Sequence, residues 1–501
     1  MKPTLIFEGR TIESDVLFDR VLRAASALQA LGITAADTVA LMLRNTPAVI
    51  ELMLATRWLG ATWCPINWHF KHDELQYILG DCGARLFVAE SALLRELHAA
   101  VPTGVTAIAA GGSAADAGNA SEPWPLWDTL RDAAAPCADP ASAPRGPMLY
   151  TSGTTGRPKG IRRNPASAAQ VARTLDRARQ CYGLEPGMRA LLNAPMYHSA
   201  PNGYVVGVSQ MPGATLLLEQ RFDAERTLRL IEQHRLTHAY LVPTLYVRLL
   251  RLPDDVKRKY DVSSMCHVSS TGSPCPPEVK RAMIDWWGPV FNESYGSSEL
   301  GYMTYVTSAE ALARPGTAGR AIPGCDLAIL DEQGHALPTG QPGLIYARQP
   351  GMVDFTYQGN DGARRAMERD GFMTMGDVGY LDRDGYLFIV DRSADMVISG
   401  GVNIYPAEIE QALLGMAGVE DCAVFGIPDD EFGEALAAAV QPRAGAPLSA
   451  DTVRAFLRER LAGYKVPAIV TFHDALPRED TGKIFKRKLR EPYWAGRTRR
   501  V

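Results

Sequence analysis

The stretch richest in chemistry is Leu149-Tyr150-Thr151-Ser152-Gly153-Thr154-Thr155-Gly156-Arg157-Pro158-Lys159-Gly160. Met148, Leu149 and Tyr150 make an apolar approach that reads as a strand. Ser152, Thr154 and Thr155 add hydroxyl donors, Gly153, Gly156 and Gly160 let the backbone turn with its N–H groups exposed, and Lys159 adds a positive charge. Such a nest suits phosphate oxygens. It is not a G-x-x-x-x-G-K-[ST] loop, because Pro158 and Lys159 fall at the wrong offsets. On composition alone, a polar glycine-rich surface turn competes with it. Asp377 suits either a turn ahead of Gly379 or a ligand for hydroxyls, and Lys483, in Thr481-Gly482-Lys483, reads alone as an exposed lysine. His198 follows Pro195-Met196-Tyr197, and a single histidine is more often packed than catalytic.

These residues need a scaffold, and the periodicity supplies one. Val21, Leu22, Ala25, Leu28 and Leu31 recur at helical spacing. Asp37 to Leu43 reads as a short apolar strand, Val49 to Leu59 as a helix and Ala84 to Val88 as a strand. That alternation predicts a layered α/β architecture. Thr103 to Arg145, rich in Ala, Gly, Ser and Pro, reads as a surface connection. Near Asp391 the pattern changes to a smaller α/β unit, with helices from about Pro406 to Leu414 and Asp451 to Leu461 and a strand at Val419 to Gly426. The run Lys483, Lys486, Arg487, Lys488, Arg490, Arg497, Arg499 and Arg500 reads, Lys483 apart, as a solvated tail.

Composition narrows the classes. The 501 residues are 46% hydrophobic and 22% charged, the balance of a folded globular chain. The formal charge of −4 supplies no general field for nucleic acid. The eight cysteines form no C-x-x-C pair, so neither a zinc ribbon nor a disulfide framework is expected. No secretory h-region opens the chain, which fits a reducing, cytoplasmic compartment. Ala190 to Leu218 contains no charged residue, but Pro195, Pro201, Pro212, Gly203, Gly207 and Gly213 break it. It reads as strands and loops lining a cavity, not as a transmembrane helix.

The glycine-rich string resembles the signature loop of the adenylate-forming superfamily, which includes acyl-CoA synthetases, adenylation domains and luciferases. Four further segments resemble that superfamily's motifs in its order: Asn292-Glu293-Ser294-Tyr295-Gly296-Ser297-Ser298-Glu299, Thr374-Met375-Gly376-Asp377, Val390-Asp391-Arg392 with Ile398 to Glu410, and Pro477 to Ile484. Pro195-Met196-Tyr197-His198 is similar to its P-x-[FY]-H segment. Together these cover most of the chain.

The resemblance implies a large N-terminal α/β domain (residues 1–391), a hinge (392–394) and a small mobile C-terminal α/β domain (395–501). It implies two steps: a carboxylate attacks the α-phosphorus of ATP, releasing pyrophosphate, and coenzyme A then displaces AMP to give a thioester. Both first-step reactants are anions, so the site must supply positive charge and donors. By resemblance, Thr151, Ser152, Gly153, Thr154, Thr155 and Lys159 handle the β- and γ-phosphates. Glu299 holds Mg²⁺ and Ser298 donates to the α-phosphate. Tyr295, with Asn292 and Gly296 of its motif, and Gly272-Ser273-Pro274 border the adenine. Asp377 takes the ribose hydroxyls, and Arg392 the ribose or a phosphate. Lys483 bridges carboxylate and α-phosphate. Gly400 and Gly401 flank the pantetheine channel, and His198 stands between acyl pocket and thiol. Tyr197, Gly203, Gly207, Tyr240 and Gly301 are expected in the acyl pocket.

Ala394 stands where relatives carry a polar pivot, and Ser298 replaces the commoner Thr. The segments Tyr197 to Gln210, Tyr240 to Tyr246 and Leu300 to Tyr305 are mostly apolar, without Arg or Lys. They suit a fatty or aromatic monocarboxylate, because a second carboxylate would be left unpaired. Loading a carrier protein in trans is the nearest alternative; an inactive adenylate-binding protein is less compatible with Lys159, Glu299, Asp377 and Lys483, and a homodimer remains open.

Overall fold

The computed structural model describes residues 3–111, 123–140, 144–151, 158–273, 275–392, 395–399, 402–429, 432–478 and 484–495, the side chains of residues 392, 402 and 403 excepted. The helix Ser14–Ala30 buries Leu17, Val21, Ala24, Ala25 and Leu28 along one face, as their spacing predicts. The strand Thr38–Met42 is buried throughout and lies inside a four-stranded parallel sheet with Thr62–Pro65, Ala84–Glu90 and Thr106–Ala110. Burial on both faces explains why it reads as a continuous apolar run.

A second sheet has fourteen strands. Its parallel part runs Thr4–Phe7, Thr215–Leu218, Arg189–Leu192, His238–Tyr240, His267–Ser270 and Phe291–Ser297. Helices such as Ser199–Val208, Ala224–His234 and Pro277–Trp287 make the crossovers that parallel neighbours require. The hairpin partner Gly301–Val306 then turns the sheet antiparallel through Gly319–Ala321, Tyr386–Arg392, Phe372–Leu381, Gly343–Arg348 and Asp326–Leu330. A third, three-stranded sheet joins Leu149–Thr151, Lys159–Arg163 and Phe355–Tyr357.

The C-terminal unit is a five-stranded sheet carrying the helices Pro406–Leu414, Ala450–Arg458 and Lys486–Trp494. Val397, Ile404, Ile409, Leu413, Val424, Leu436, Val440, Val453 and Leu457 form its core. Asp391, near the end of the strand Tyr386–Arg392, accepts a 3.0 Å hydrogen bond from the Ala407 N–H in the first turn of Pro406–Leu414.

Three expectations change. Thr103 to Arg145 is more than a surface connection, since it supplies the strand Thr106–Ala110 and the helix Trp127–Ala133, with Trp127 fully buried. The basic end is not a wholly solvated tail: Lys486 Nζ lies 2.8 Å from Glu410 Oε1, with about a fifth of each side chain exposed (19% and 18%). Burial costs a lone carboxylate more than a paired one, which is why the lysine sits there. Arg490 reaches Asp395, and Arg487 pairs with Glu491. The uncharged stretch from Ala190 resolves into strand, helix and strand, and no helix among the described residues is long and apolar enough to cross a membrane.

Candidate active site

The carboxyl ends of the parallel strands open onto one large cleft, which Tyr197, His198, Thr271, Gly272, Ser273, Ser298, Glu299 and Asp377 help to line. Ligands of open α/β sheets collect at such ends, because the loops there diverge. Ser298 and Glu299 occupy the turn of the hairpin Phe291–Ser297/Gly301–Val306, whose last pair is Ser297 with Gly301. Gly301 has φ +71°, the left-handed residue that a three-residue hairpin loop needs at its end. Gly296 is required for space: a Cβ there would stand 2.2 Å from the Gly301 carbonyl oxygen. The Leu300 N–H donates to Ser297 Oγ at 3.0 Å, and the Ser298 hydroxyl donates to Ser199 Oγ at 2.9 Å.

The small sheet supplies the positive charge. Thr151 pairs with Lys159, so residues 152–157, which lie outside the described residues, connect two hydrogen-bonded strands. Lys159, Ile161 and Arg163 alternate with Gly160 and the exposed Arg162, which puts the lysine and the arginine on one face. Lys159 Nζ stands 5.4 Å from the centre of the Tyr357 ring. The Tyr357 hydroxyl donates to Glu299 Oε1 at 3.0 Å, and burial near that carboxylate pushes the phenol up, so it remains a donor. Arg163, not anticipated from the sequence, donates to the carbonyls of Ser298 (2.8 Å), Glu299 (2.6 Å) and Val353 (3.2 Å).

Asp377 lies within the strand Phe372–Leu381, buried, and accepts a 2.6 Å hydrogen bond from the Tyr295 hydroxyl. Asp377 also pairs in register with Arg392, so the residues expected at the ribose and at the hinge meet on adjacent strands. Gly272 takes φ +95° in the loop after His267–Ser270. Glu299 is the sole member of the expected metal set, and no cluster of three or more His, Cys, Asp or Glu among the described residues could hold a metal. One carboxylate still fits Mg²⁺, a hard ion that completes its shell with phosphate oxygens and water.

Elsewhere in the cleft, where the acyl pocket is expected, His198 precedes the helix Ser199–Val208 and its ring lies 4.4 Å from that of Tyr197, which meets Trp68 edge-on at 6.0 Å. Gly203 and Gly207 line the cleft and let this helix approach Ala168–Tyr182: a Cβ would stand 3.0 Å from the Tyr182 hydroxyl at Gly203 and 2.6 Å from Leu184 Cδ1 at Gly207. The helix Ala168–Tyr182 turns Val171, Leu175, Ala178 and Tyr182 into the cleft, a wall the sequence reading missed although its i, i+3, i+4 spacing was available. The Tyr302 hydroxyl donates to the Tyr182 hydroxyl, which donates to the Ala200 carbonyl at 2.6 Å.

Two expected site residues do not line the cleft. Asn292 starts its strand, at the end away from the cleft, and its Nδ2 donates to His267 Nδ1 and to the Val290 carbonyl, each at 3.1 Å. Tyr240 is buried behind the wall, against the rings of Tyr182 and Tyr204. Ser152, Gly153, Thr154, Thr155, Pro274, Ala394, Gly400, Gly401 and Lys483 lie outside the described residues, and of Arg392 only the backbone is described.

A large cleft at the carboxyl ends of a parallel sheet, lined by a lysine strand and a carboxylate turn, suits an adenylate-forming enzyme. The chain belongs to the AMP-binding enzyme family: the family model matches residues 1–354, and that of the AMP-binding enzyme C-terminal domain matches residues 408–483. A feruloyl-CoA synthase of Amycolatopsis sp is 35% identical over 491 residues, covering 97% of this chain and 94% of the relative. An indoleacetate–CoA ligase of Aromatoleum aromaticum is 33% identical over 498 residues, covering 98% and 95%. The crystal structure of ATP-bound MatB from Rhodopseudomonas palustris superposes with a TM-score of 0.86 at 29% identity, covering 98% of this chain and 96% of that one.

Proposed function

We propose that this chain joins an apolar monocarboxylic acid, with an aromatic or fatty body, to coenzyme A. The enzyme is an AMP-forming acid–thiol ligase that uses ATP to make an acyl-adenylate and then the acyl-CoA thioester. The observation that carries the choice of acid is the wall of Val171, Leu175, Ala178, Val206 and the two helix-packing glycines, backed by Tyr182 and Tyr302. Burying such surface against an apolar acid is worth roughly 25 cal/mol per Å². The arginine of this wall, Arg177, already donates to the Gly324 carbonyl at 2.8 Å and to Gln349, so a second carboxylate would compete with protein acceptors for it.

The same reading assigns the roles. Lys159 neutralises the phosphates, Ser298 donates to the α-phosphate, Asp377 takes the ribose and Lys483 joins the two anionic reactants. Glu299 would hold Mg²⁺, which would supply charge to offset that of the phosphate oxygens. His198 borders the thiol route. The domain limits 1–391 and 395–501 about a hinge at 392–394 are supported by the end of the strand Tyr386–Arg392 and by the separate core beyond it. A cytoplasmic setting is supported by eight free cysteines.

The test is a panel of aryl, long aliphatic and dicarboxylic acids, each assayed for pyrophosphate release and for AMP with and without coenzyme A. An apolar monocarboxylate should lead the panel, with AMP formation accelerated by coenzyme A. A leading dicarboxylate would overturn the choice of acid. AMP release that needs a carrier protein instead of coenzyme A would overturn the acceptor.

A further inference from the structure

We propose that Arg163 is a positioning residue for adenylation: its guanidinium holds the Ser298–Glu299 turn against the strand that carries Lys159. The inference rests on the reading of Glu299 as the Mg²⁺ ligand.

An arginine beside a carboxylate ordinarily closes on it through two parallel hydrogen bonds. Here the donors go to the backbone. One nitrogen, Nη2, serves the carbonyls of Ser298 and Glu299 at 2.8 and 2.6 Å, and Nη1 serves that of Val353 at 3.2 Å. The turn is gripped by its main chain while the Glu299 side chain stays out of an arginine fork, which would compete with a metal. Burial acts to lower the guanidinium, and the charges of Glu299 and Asp354 oppose that. An arginine keeps its proton through such a perturbation.

The second hold is Tyr357, whose hydroxyl takes one oxygen of that carboxylate. Both holds come from one pair of strands: Phe355 is in register with Arg163, Tyr357 with Ile161, and Arg163 Cζ lies 5.9 Å from the Phe355 ring. Lys159 shares the Arg163 face and stands over Tyr357. The lysine, the backbone grip and the carboxylate grip therefore move as one small sheet. The distance between phosphate-binding cation and metal-binding carboxylate is set by that sheet, not by the large one from which Glu299 projects.

The experiment compares Arg163→Gln, Arg163→Lys, Tyr357→Phe and Glu299→Gln with the parent in separated half-reactions. For Arg163→Gln, the Mg²⁺ concentration for half-maximal adenylation should rise, and the adenylation rate fall, by about tenfold or more, the scale for losing a residue that orients a metal ligand. The KM for acid and thioester formation from supplied acyl-adenylate should hold within about threefold, and Arg163→Lys should fall between. Calorimetric titration with α,β-methylene-ATP gives a readout free of turnover: affinity should drop in the presence of Mg²⁺ and be unchanged in EDTA. Equal loss in both half-reactions, or unchanged Mg²⁺ dependence in a folded Arg163→Gln, would overturn the proposal. If that variant does not fold, Tyr357→Phe decides on the same readouts. Glu299→Gln separates the premise: unchanged Mg²⁺ dependence there sinks the metal assignment itself, whereas a Glu299→Gln defect without an Arg163 effect sinks only the positioning role.

Discussion

Alanine at Gly296 tests whether the hairpin places the catalytic turn. Its Cβ would meet the Gly301 carbonyl oxygen at 2.2 Å, the Gly301 carbonyl carbon at 2.9 Å and the Tyr302 Cα at 2.9 Å, all backbone atoms that no rotamer change can clear. Restoring an ordinary contact requires the two strands to part by about 1 Å immediately beneath Ser298 and Glu299. A misplacement of about 1 Å costs on the order of 100-fold in a reaction that depends on orientation. Overpacking of this kind costs about 1–3 kcal/mol of stability, too little to unfold a chain of this size. Gly301→Ala is the internal control. There φ is +71° but nothing lies within 4 Å, so the cost is backbone strain of about 1–2 kcal/mol without an imposed displacement. Single-turnover pyrophosphate release should fall about 100-fold in Gly296→Ala and by less than about tenfold in Gly301→Ala. Thioester formation from supplied acyl-adenylate should survive in both. Adenylation by Gly296→Ala at nearly the parent rate, with the fold intact, would refute the reasoning.

Lys483→Ala should cut adenylate formation by orders of magnitude and spare the second half-reaction; equal loss in both would remove its assigned role. Lys486→Met leaves Glu410, raised by burial, without its cation, and should destabilise the C-terminal unit by about 2–3 kcal/mol at neutral pH, somewhat below a fully enclosed pair. Calorimetry should show that deficit shrinking as pH falls and the carboxyl takes a proton, and a variant as stable as the parent would contradict the pair. Burial and the neighbouring His238 hold His267 down at about 4 against an ordinary 6.5, so the unfolded chain binds a proton through that window and the folded chain does not. Stability should therefore fall as pH drops from about 6.5 to about 4, by about 3 kcal/mol for this group. His267→Gln should flatten that slope in urea titrations at pH 7 and pH 4.5, and an unaltered slope would assign the acid sensitivity elsewhere.

The sequence motifs named Ser298, Glu299, Asp377 and Tyr295, but not their arrangement. That Ser298 and Glu299 share one turn depends on Gly301 adopting positive φ, and that the Tyr295 hydroxyl reaches Asp377 depends on the sheet bringing together two strands some eighty residues apart that do not pair with each other. Asn292 was misassigned because a motif string ignores direction along a strand. At about 3.3 Å per residue, three positions separate it from Tyr295 by about 10 Å, enough to leave it at the far end of the strand from the cleft. Tyr240 ends the buried strand His238–Tyr240, and the sequence does not say which side of such a strand is the cleft. Arg163 was legible in principle, since it follows Lys159 at an even spacing in a strand, but its partners are carbonyls, and carbonyls leave no trace in a sequence. The helices and strands of the first hundred residues were the easiest to read, because a helix with one buried face, such as Ser14–Ala30, and a strand buried on both faces, such as Thr38–Met42, each leave a clear apolar pattern.

The way the sheets end bears on how the protein behaves when concentrated. The large sheet closes at one side on Arg10–Ile12, three residues long, and at the other on Asp326–Leu330, whose Asp326 is paired with Arg348. Short and charged margins resist the addition of a foreign strand. The small C-terminal sheet is less protected. Its strand Ile469–Phe472 pairs, among the described residues, with Gly433–Pro442 alone, and it leaves Ile469 and Phe472 exposed at 37% and 39%. Colloidal association should begin on that margin: light scattering of Ile469→Lys at high concentration should fall below that of the parent, and equal scattering would place the adhesive surface elsewhere.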